Sequence, residues 1–237
     1  MDFTLHELFA DIGIEGQKKL CEKTVTLVGI GGIGSSVAEI LARAGVNLRI
    51  IDKGRILEKD IMKQCLYRLE DISKFKAKQS KKILEEINSQ LKVKTFHEDL
   101  HAGNIFLIES DLVVDLTNNM ATSDLVNKHC LEKKIPLIFS NYAGSKGHVL
   151  IVDRSQYSGA GPCVNCIREK LEFKDKSKLG VYVPVTYLLA SLVASAVIKN
   201  LLNYGNVAKL LNVDVMKTDI RHESVEKDKK CSVCSVL

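Results

Sequence analysis

The glycine run Gly29-Ile-Gly-Gly-Ile-Gly34 sits between two segments of different periodicity. Thr24 to Gly29 is a short apolar run of strand length. Gly34 to Ala44 keeps helical apolar spacing through Val37, Ile40 and Leu41 until Gly45 ends it. A second apolar stretch, Asn47 to Ile51, follows at once and leads into Asp52. Strand, glycine turn, helix, strand and carboxylate in that order describe a nucleotide-binding βαβ unit. The first glycine permits the tight turn, the second lets phosphate approach the backbone, and the third lets helix pack on strand. Free N–H groups at the helix start then favour phosphate, and Asp52 can accept hydrogen bonds from ribose hydroxyls. Gly29, Gly31, Gly32, Gly34 and Asp52 are therefore candidate nucleotide-binding residues. On these residues alone NAD fits as well as ATP, so an oxidoreductase stays open as an alternative.

The same alternation continues downstream. Lys74 to Asn88 and Ala121 to Glu132 read as helices, while Leu91 to Phe96, Asp111 to Asp115 and Pro136 to Ser140 read as strands. The expected fold class is α/β: a Rossmann-like, mostly parallel sheet with helices on both faces and ligand sites at the carboxyl ends of its strands. Asp52 and Asp115 both fall at such ends. A chain of 237 residues with 46% hydrophobic content is long enough for one sizeable core, so residues 1–237 are expected to form a single domain. Val181 to Ile198 has no charge and nearly the length of a membrane span. Pro184 suits a helical first turn, and Thr186, Ser191 and Ser195 permit close packing, so the run is read as a buried helix and no membrane partner is expected. Between Asp153 and Val183 the chain is rich in glycine and charge and reads as a loop crossing.

Two CxxC pairs, Cys163-Val-Asn-Cys166 and Cys231-Ser-Val-Cys234, lie far apart in the chain. A CxxC lets two thiolates reach one tetrahedral Zn²⁺ from a single turn, and two such turns complete a closed, structural four-sulfur site. The late loop and the tail are thus expected to share one zinc ion. The opening Met1-Asp-Phe-Thr-Leu-His-Glu has no apolar signal region, which points to the reducing cytoplasm, where paired cysteines favour metal over disulfide. Cys234-Ser-Val-Leu237 also matches a prenylation box. Lipid and zinc cannot share that sulfur, and the paired spacing favours zinc. Cys21, Cys65 and Cys130 read as structural thiols, and His97, His101 and His148 match no motif.

The formal charge of +5 is mild, but ten basic residues run from Lys53 to Lys82. They suit the surroundings of a polyanion such as a nucleotide triphosphate, with Lys78, Lys81 and Lys82 read as a solvated helix face. Interleaved aromatics or a recognised module would be needed for nucleic-acid binding, and none is visible.

Four pieces then occur in order: the glycine turn with Asp52; Asp60-Ile-Met-Lys-Gln64; Lys76; and Asp115-Leu-Thr-Asn-Asn-Met-Ala-Thr122, with the paired cysteines closing the chain. Over nearly its whole length the chain resembles the ThiF/MoeB/HesA superfamily, the ancestral form of ubiquitin-activating enzymes. The resemblance implies that ATP and Mg²⁺ adenylate the C-terminal glycine of a small ubiquitin-like or sulfur-carrier protein ending in Gly-Gly. It also implies a homodimer. Lys63, where the family usually has arginine, and Lys76 become candidates to neutralise phosphate charge, with Asp115 as a nearby carboxylate. Gln64, Asn118 and Asn119 become candidate nucleotide contacts. The departures concern charge: the aspartate of the family's T-D-N triplet is Asn118, the second carboxylate of its D-x-D pattern is Gly54, an asparagine is Asp60, and an N-terminal arginine is replaced by Leu5 or a neighbour. They motivate the alternative of a non-catalytic scaffold binding a ubiquitin-like partner or an active homologue.

Overall fold

The structure is a computed structural model in which residues 1–152, 161–171, 173, 179–204 and 209–235 are described. Two N-terminal helices, α1 (Thr4–Leu8) and α2 (Gly13–Glu22), precede β1 (Thr24–Val28), α3 (Gly32–Arg43) and β2 (Asn47–Ile51). A short α4 (Glu58–Ile61) and then α5 (Lys76–Ile87) lead to β3 (Val93–Phe96), β4 (Leu112–Asp115) and α6 (Met120–Lys133). After β5 (Leu137–Ala143) and β6 (Lys146–Val152) come α7 (Arg168–Leu171), the long α8 (Pro184–Leu201), β7 (Lys209–Asp214) and β8 (Asp219–Ser224).

The strands form one eight-stranded sheet in the order β3-β2-β1-β4-β5-β6-β7-β8. β1 to β5 are parallel, and β5 to β8 pair antiparallel with their neighbours. The order reverses beside β1: the chain steps outward to β2 and β3, then returns to β4 on the other side. In open α/β sheets the crevice at that reversal is where ligands bind. Val28 is in register with both Ile51 and Asp115, so the glycine turn, Asp52 and the turn after Asp115 leave the sheet at one level.

Alternate residues of the central strands face opposite cores, as a pleated strand requires. Val25, Leu27, Leu112, Val114 and Ile138 pack with α3 and α8, whereas Val28, Val113, Leu137 and Phe139 pack with α6 and the paired cysteines. Both faces are covered, which is why these strands read as continuous apolar runs. Phe139 is fully buried, and truncating it to alanine is expected to cost about 3–5 kcal/mol.

α8 meets the length and composition of a membrane span, but Val185, Leu189, Val193 and Val197 are buried against the chain's own core. The face of α8 that carries these residues is covered within the chain, as the sequence reading of a buried helix expects. Large apolar side chains are exposed instead at the N-terminus, where Leu5 is 85% and Leu8 75% exposed, with Phe9 and Ile14 beside them. Much of the expected loop crossing, including 153–160 and 174–178, lies outside the described residues. Within it, Val164–Ile167 forms a 3₁₀ turn that continues into α7.

Candidate functional site

β1 ends at Val28, and the chain turns through Gly29, whose φ of +93° lies in the region open to glycine. The amide of Gly29 donates to Ile51 O at 2.9 Å, which ties the turn to β2. A Cβ on Gly34 would fall 2.3 Å from Gly29 O, so the third glycine brings helix against turn. A Cβ on Gly31 would meet nothing within 4 Å and would project into open space, while one on Gly32 would touch Thr186 and the Tyr142 hydroxyl at 3.0 Å. No side chain caps the start of α3. A helix beginning with uncapped N–H groups beside bare backbone suits an anion.

Asp52 is held by both oxygens: Oδ2 accepts from Ile30 N at 2.8 Å and Oδ1 from Gly54 N at 2.6 Å. The carboxylate thus props the glycine turn as well as facing the crevice. A Cβ at Gly54 would lie 2.9 Å from Asp52 Oδ1 and 3.5 Å from the Lys76 stem, so a larger residue there requires a shift. Lys76 begins α5, and its Nζ lies 2.9 Å from Asp60 Oδ2 with the lysine side chain only 13% exposed. Asp60 also accepts from Leu57 N at 3.1 Å, closing the first turn of α4. Lys63 is half-buried, and its ammonium has no ion-pair partner among the described residues. Gln64 is buried, and its Oε1 lacks a hydrogen-bond partner among the described residues.

On the other side of the crevice, Asp115 is fully buried, and its Oδ1 accepts from Thr117 N at 3.0 Å and Thr117 Oγ1 at 2.8 Å. Burial holds this carboxyl above the usual carboxylate range. It fixes the turn rather than facing solvent, so its place does not suit a direct substitute for the missing carboxylate at 118. Asn118 adopts φ +54°, a conformation asparagine tolerates better than most residues, and donates from Nδ2 to Tyr142 O at 3.1 Å. Asn119 is exposed and caps α6, its Oδ1 accepting from Ala121 N at 3.0 Å.

Three wall residues carry no sequence signal. Tyr67 is buried and its hydroxyl bridges Ile30 O, Lys76 O and Ser80 Oγ, joining the glycine turn to α5. Tyr142 and Thr186 lie over Gly32, and burial, then the charge of Asp60, raises the Tyr142 phenol. Leu5, by contrast, is solvent-exposed on α1. Besides Lys76, four members of the basic run are paired locally among the described residues. Lys53 pairs with Asp99, Lys74 with Asp71, Lys81 with Glu85 and Lys82 with Glu86. A cleft of about 710 Å³ lined by Arg55, Phe75, Lys78 and neighbours lies along α5 and includes none of the glycine-turn residues.

The cysteines converge. Sγ atoms of Cys163, Cys166, Cys231 and Cys234 lie within 4.8 Å of one another, with separations of 3.7, 3.8 and 3.4 Å for 163–231, 163–166 and 166–234. Tetrahedral Zn–S bonds of about 2.3 Å place sulfurs about 3.8 Å apart, so the donor set fits zinc. Burial pushes the Cys163 thiol up to about 11, a cost that a bound cation reverses. Cys234 is fully buried, out of reach of a prenyl group, although the last two residues lie outside the described set.

A sequence profile of the ThiF family matches residues 4–235. The chain belongs to the ThiF family. Two relatives illustrate it. The sulfur carrier protein adenylyltransferase of Thermus thermophilus is 29% identical over 237 residues, 96% of this chain and 88% of the relative. The molybdopterin-synthase adenylyltransferase of Escherichia coli is 27% identical over 227 residues, 93% and 90% of the two. A crystal structure of E. coli MccB with AMPCPP and MccA superposes with a TM-score of 0.80 at 26% identity, covering 92% of this ThiF-family chain and 68% of that one.

Proposed function

We propose that residues 1–237 act as a single adenylation domain that uses ATP to adenylate the C-terminal glycine of a small ubiquitin-like or sulfur-carrier protein, releasing pyrophosphate. The observation that carries the reading is the uncapped start of α3 beside Gly31, with Asp52 just after β2 and the Asp60–Lys76 pair reaching across from α4 and α5 past Gly54. Relatives named as carrier-protein adenylyltransferases support the reaction class. A carboxylate attacking the α-phosphate approaches a polyanion, so charge on the transferring group must be neutralised.

In this reading Asp52 takes the ribose, and the amides following Gly31 take phosphate. Gly29, Gly32 and Gly34 shape that cradle, while Lys63 and Lys76 supply positive charge. Gln64, whose Oε1 is unpartnered, orients the nucleotide. Asp115 positions the turn carrying Asn118 and Asn119. Bound Mg²⁺ would supply further neutralisation of phosphate charge. Zinc held by Cys163, Cys166, Cys231 and Cys234 would be structural, in a reducing cytoplasmic setting. The exposed apolar residues of α1 and α2 suit a homodimer, and light scattering showing only monomer at micromolar concentration contradicts that part.

ATP–pyrophosphate exchange with a Gly-Gly-ended carrier tests the reaction. Lys76→Ala should slow exchange by roughly tenfold or more, since about 1.4 kcal/mol of lost transition-state stabilisation suffices. Binding of NAD in preference to ATP would favour the oxidoreductase. ATP binding without exchange with any carrier would favour the scaffold, which the neutral Asn118 motivates.

A further inference from the structure

We infer that Asp60 is the carboxylate that receives the nucleotide's divalent cation, and that Lys76, held by Asp60 in the free protein, is passed to the phosphates when the cation binds. The inference deepens the nucleotide reading of this site and rests on it. Asp52 has both oxygens engaged by Ile30 N and Gly54 N. Asp115 is fully buried, with Oδ1 tied to Thr117 and Oδ2 sealed from solvent without a hydrogen-bond partner among the described residues, and position 118 carries a neutral amide bonded to Tyr142 O. Asp60 differs from all three. Its Oδ2 serves Leu57 N and Lys76 Nζ, while Oδ1 makes no hydrogen bond among the described residues and is not one of the sealed, unsatisfied atoms of the interior.

The location suits a metal bound to phosphate. Asp60 is close enough to raise the Tyr142 phenol, and the Tyr142 hydroxyl lies over Gly32 at the start of α3. The Lys76 stem runs past Gly54 and Asp52 to reach the same carboxylate. A purely structural role as a helix-turn cap explains Oδ2 but leaves Oδ1 with nothing to do. Mg²⁺ is usually held by one or two carboxylates together with substrate phosphates and waters, so a single available oxygen is enough. A divalent cation at Oδ1 competes with the ammonium for the same charge, which frees Lys76 for an incoming phosphate. Without the cation, phosphate entering this crevice meets a carboxylate whose charge is only partly offset. Nucleotide binding should therefore depend strongly on metal, and Asp60 should be the cause.

The experiment titrates a non-hydrolysable ATP analogue into the full chain by calorimetry, once with Mg²⁺ and once in buffer freed of Mg²⁺ by dialysis, with no chelator that could strip zinc. Wild type should bind roughly tenfold or more tightly with Mg²⁺. Asp60→Asn keeps the acceptor for Leu57 N but removes the charge, and the ratio should collapse to within about twofold, with metal-free binding no weaker than in wild type. Because Asp60→Asn leaves Lys76 unpaired, the double variant Asp60→Asn/Lys76→Gln guards against misfolding and should show the same collapse. Electron paramagnetic resonance with Mn²⁺ and the analogue gives a readout independent of affinity: protein-bound Mn²⁺ should be seen in wild type and lost in Asp60→Asn. A ratio unchanged in both variants overturns the role of Asp60 while leaving the nucleotide site standing. No binding of the analogue to wild type in either condition overturns both.

Discussion

His148 stacks on Phe173 with ring centroids 4.8 Å apart, and its Nδ1 lies 2.9 Å from Asn141 Oδ1. Burial, opposed by the charge of Glu223, holds its pKa down to about 4. The unfolded chain takes up this proton as pH falls through about 6.5, whereas the folded chain resists until about 4. Protonation in that window favours the unfolded state, so stability falls as pH falls. From pH 7 to pH 5 this one group should account for about 1–2 kcal/mol. Urea midpoints at the two pH values should draw closer in His148→Gln, and an unchanged gap would contradict the assignment. At the same scale, what a sequence discloses depends on whether a residue's partners are local. The backbone roles of Gly29 and Gly34 and the place of Asp52 just after β2 follow from a short unit with fixed geometry and were legible. The Asp60–Lys76 pair, the clasp of Tyr67 and the lid of Tyr142 and Thr186 depend on segments meeting in space, and isolated tyrosines have no spacing to give them away.

At the scale of elements, the glycine turn offers a contrast between shape and ligand. Gly34→Ala places a Cβ 2.3 Å from Gly29 O, so it should destabilise the fold by a few kcal/mol through backbone displacement. Gly31→Ala meets no protein atom within 4 Å, so it should melt close to wild type while losing ATP affinity, because the methyl occupies the space left for phosphate. Thermal melts paired with ATP titration separate these outcomes. Equal loss of stability in both variants would contradict the open cradle. The strands nearest this turn were legible because both of their faces are buried, which leaves plain apolar runs at β1, β2, β4 and β5. β8 was not. Its sequence Asp-Ile-Arg-His-Glu-Ser has no buried residue at the sheet edge, so its place is set by backbone pairing with β7 rather than by hydrophobic pattern. β6 and α2 were also missed, since neither stands next to a motif that announces it.

For the whole molecule, the cysteine cluster joins the turn at 163–166 to the tail at 231–234 across the face covered by α6. Its four thiols were legible because CxxC spacing is local, and their convergence across the fold suits one tetrahedral ion. Freshly purified protein should hold one equivalent of zinc, and chelation under reducing conditions should lower the melting temperature. Cys163→Ser should loosen the tail before it touches nucleotide binding. Less than half an equivalent of zinc, with no recovery on adding metal, contradicts the site. The adenylated carrier itself is the product to look for. Intact-mass spectrometry should follow a Gly-Gly-ended ubiquitin-like or sulfur-carrier protein incubated with this chain, ATP, Mg²⁺ and pyrophosphatase. The account predicts a carrier species heavier by one AMP, dependent on the terminal glycine and weakened by Lys76→Ala. Stable binding of ATP and carrier with no such adduct, across a panel of carriers, would contradict it.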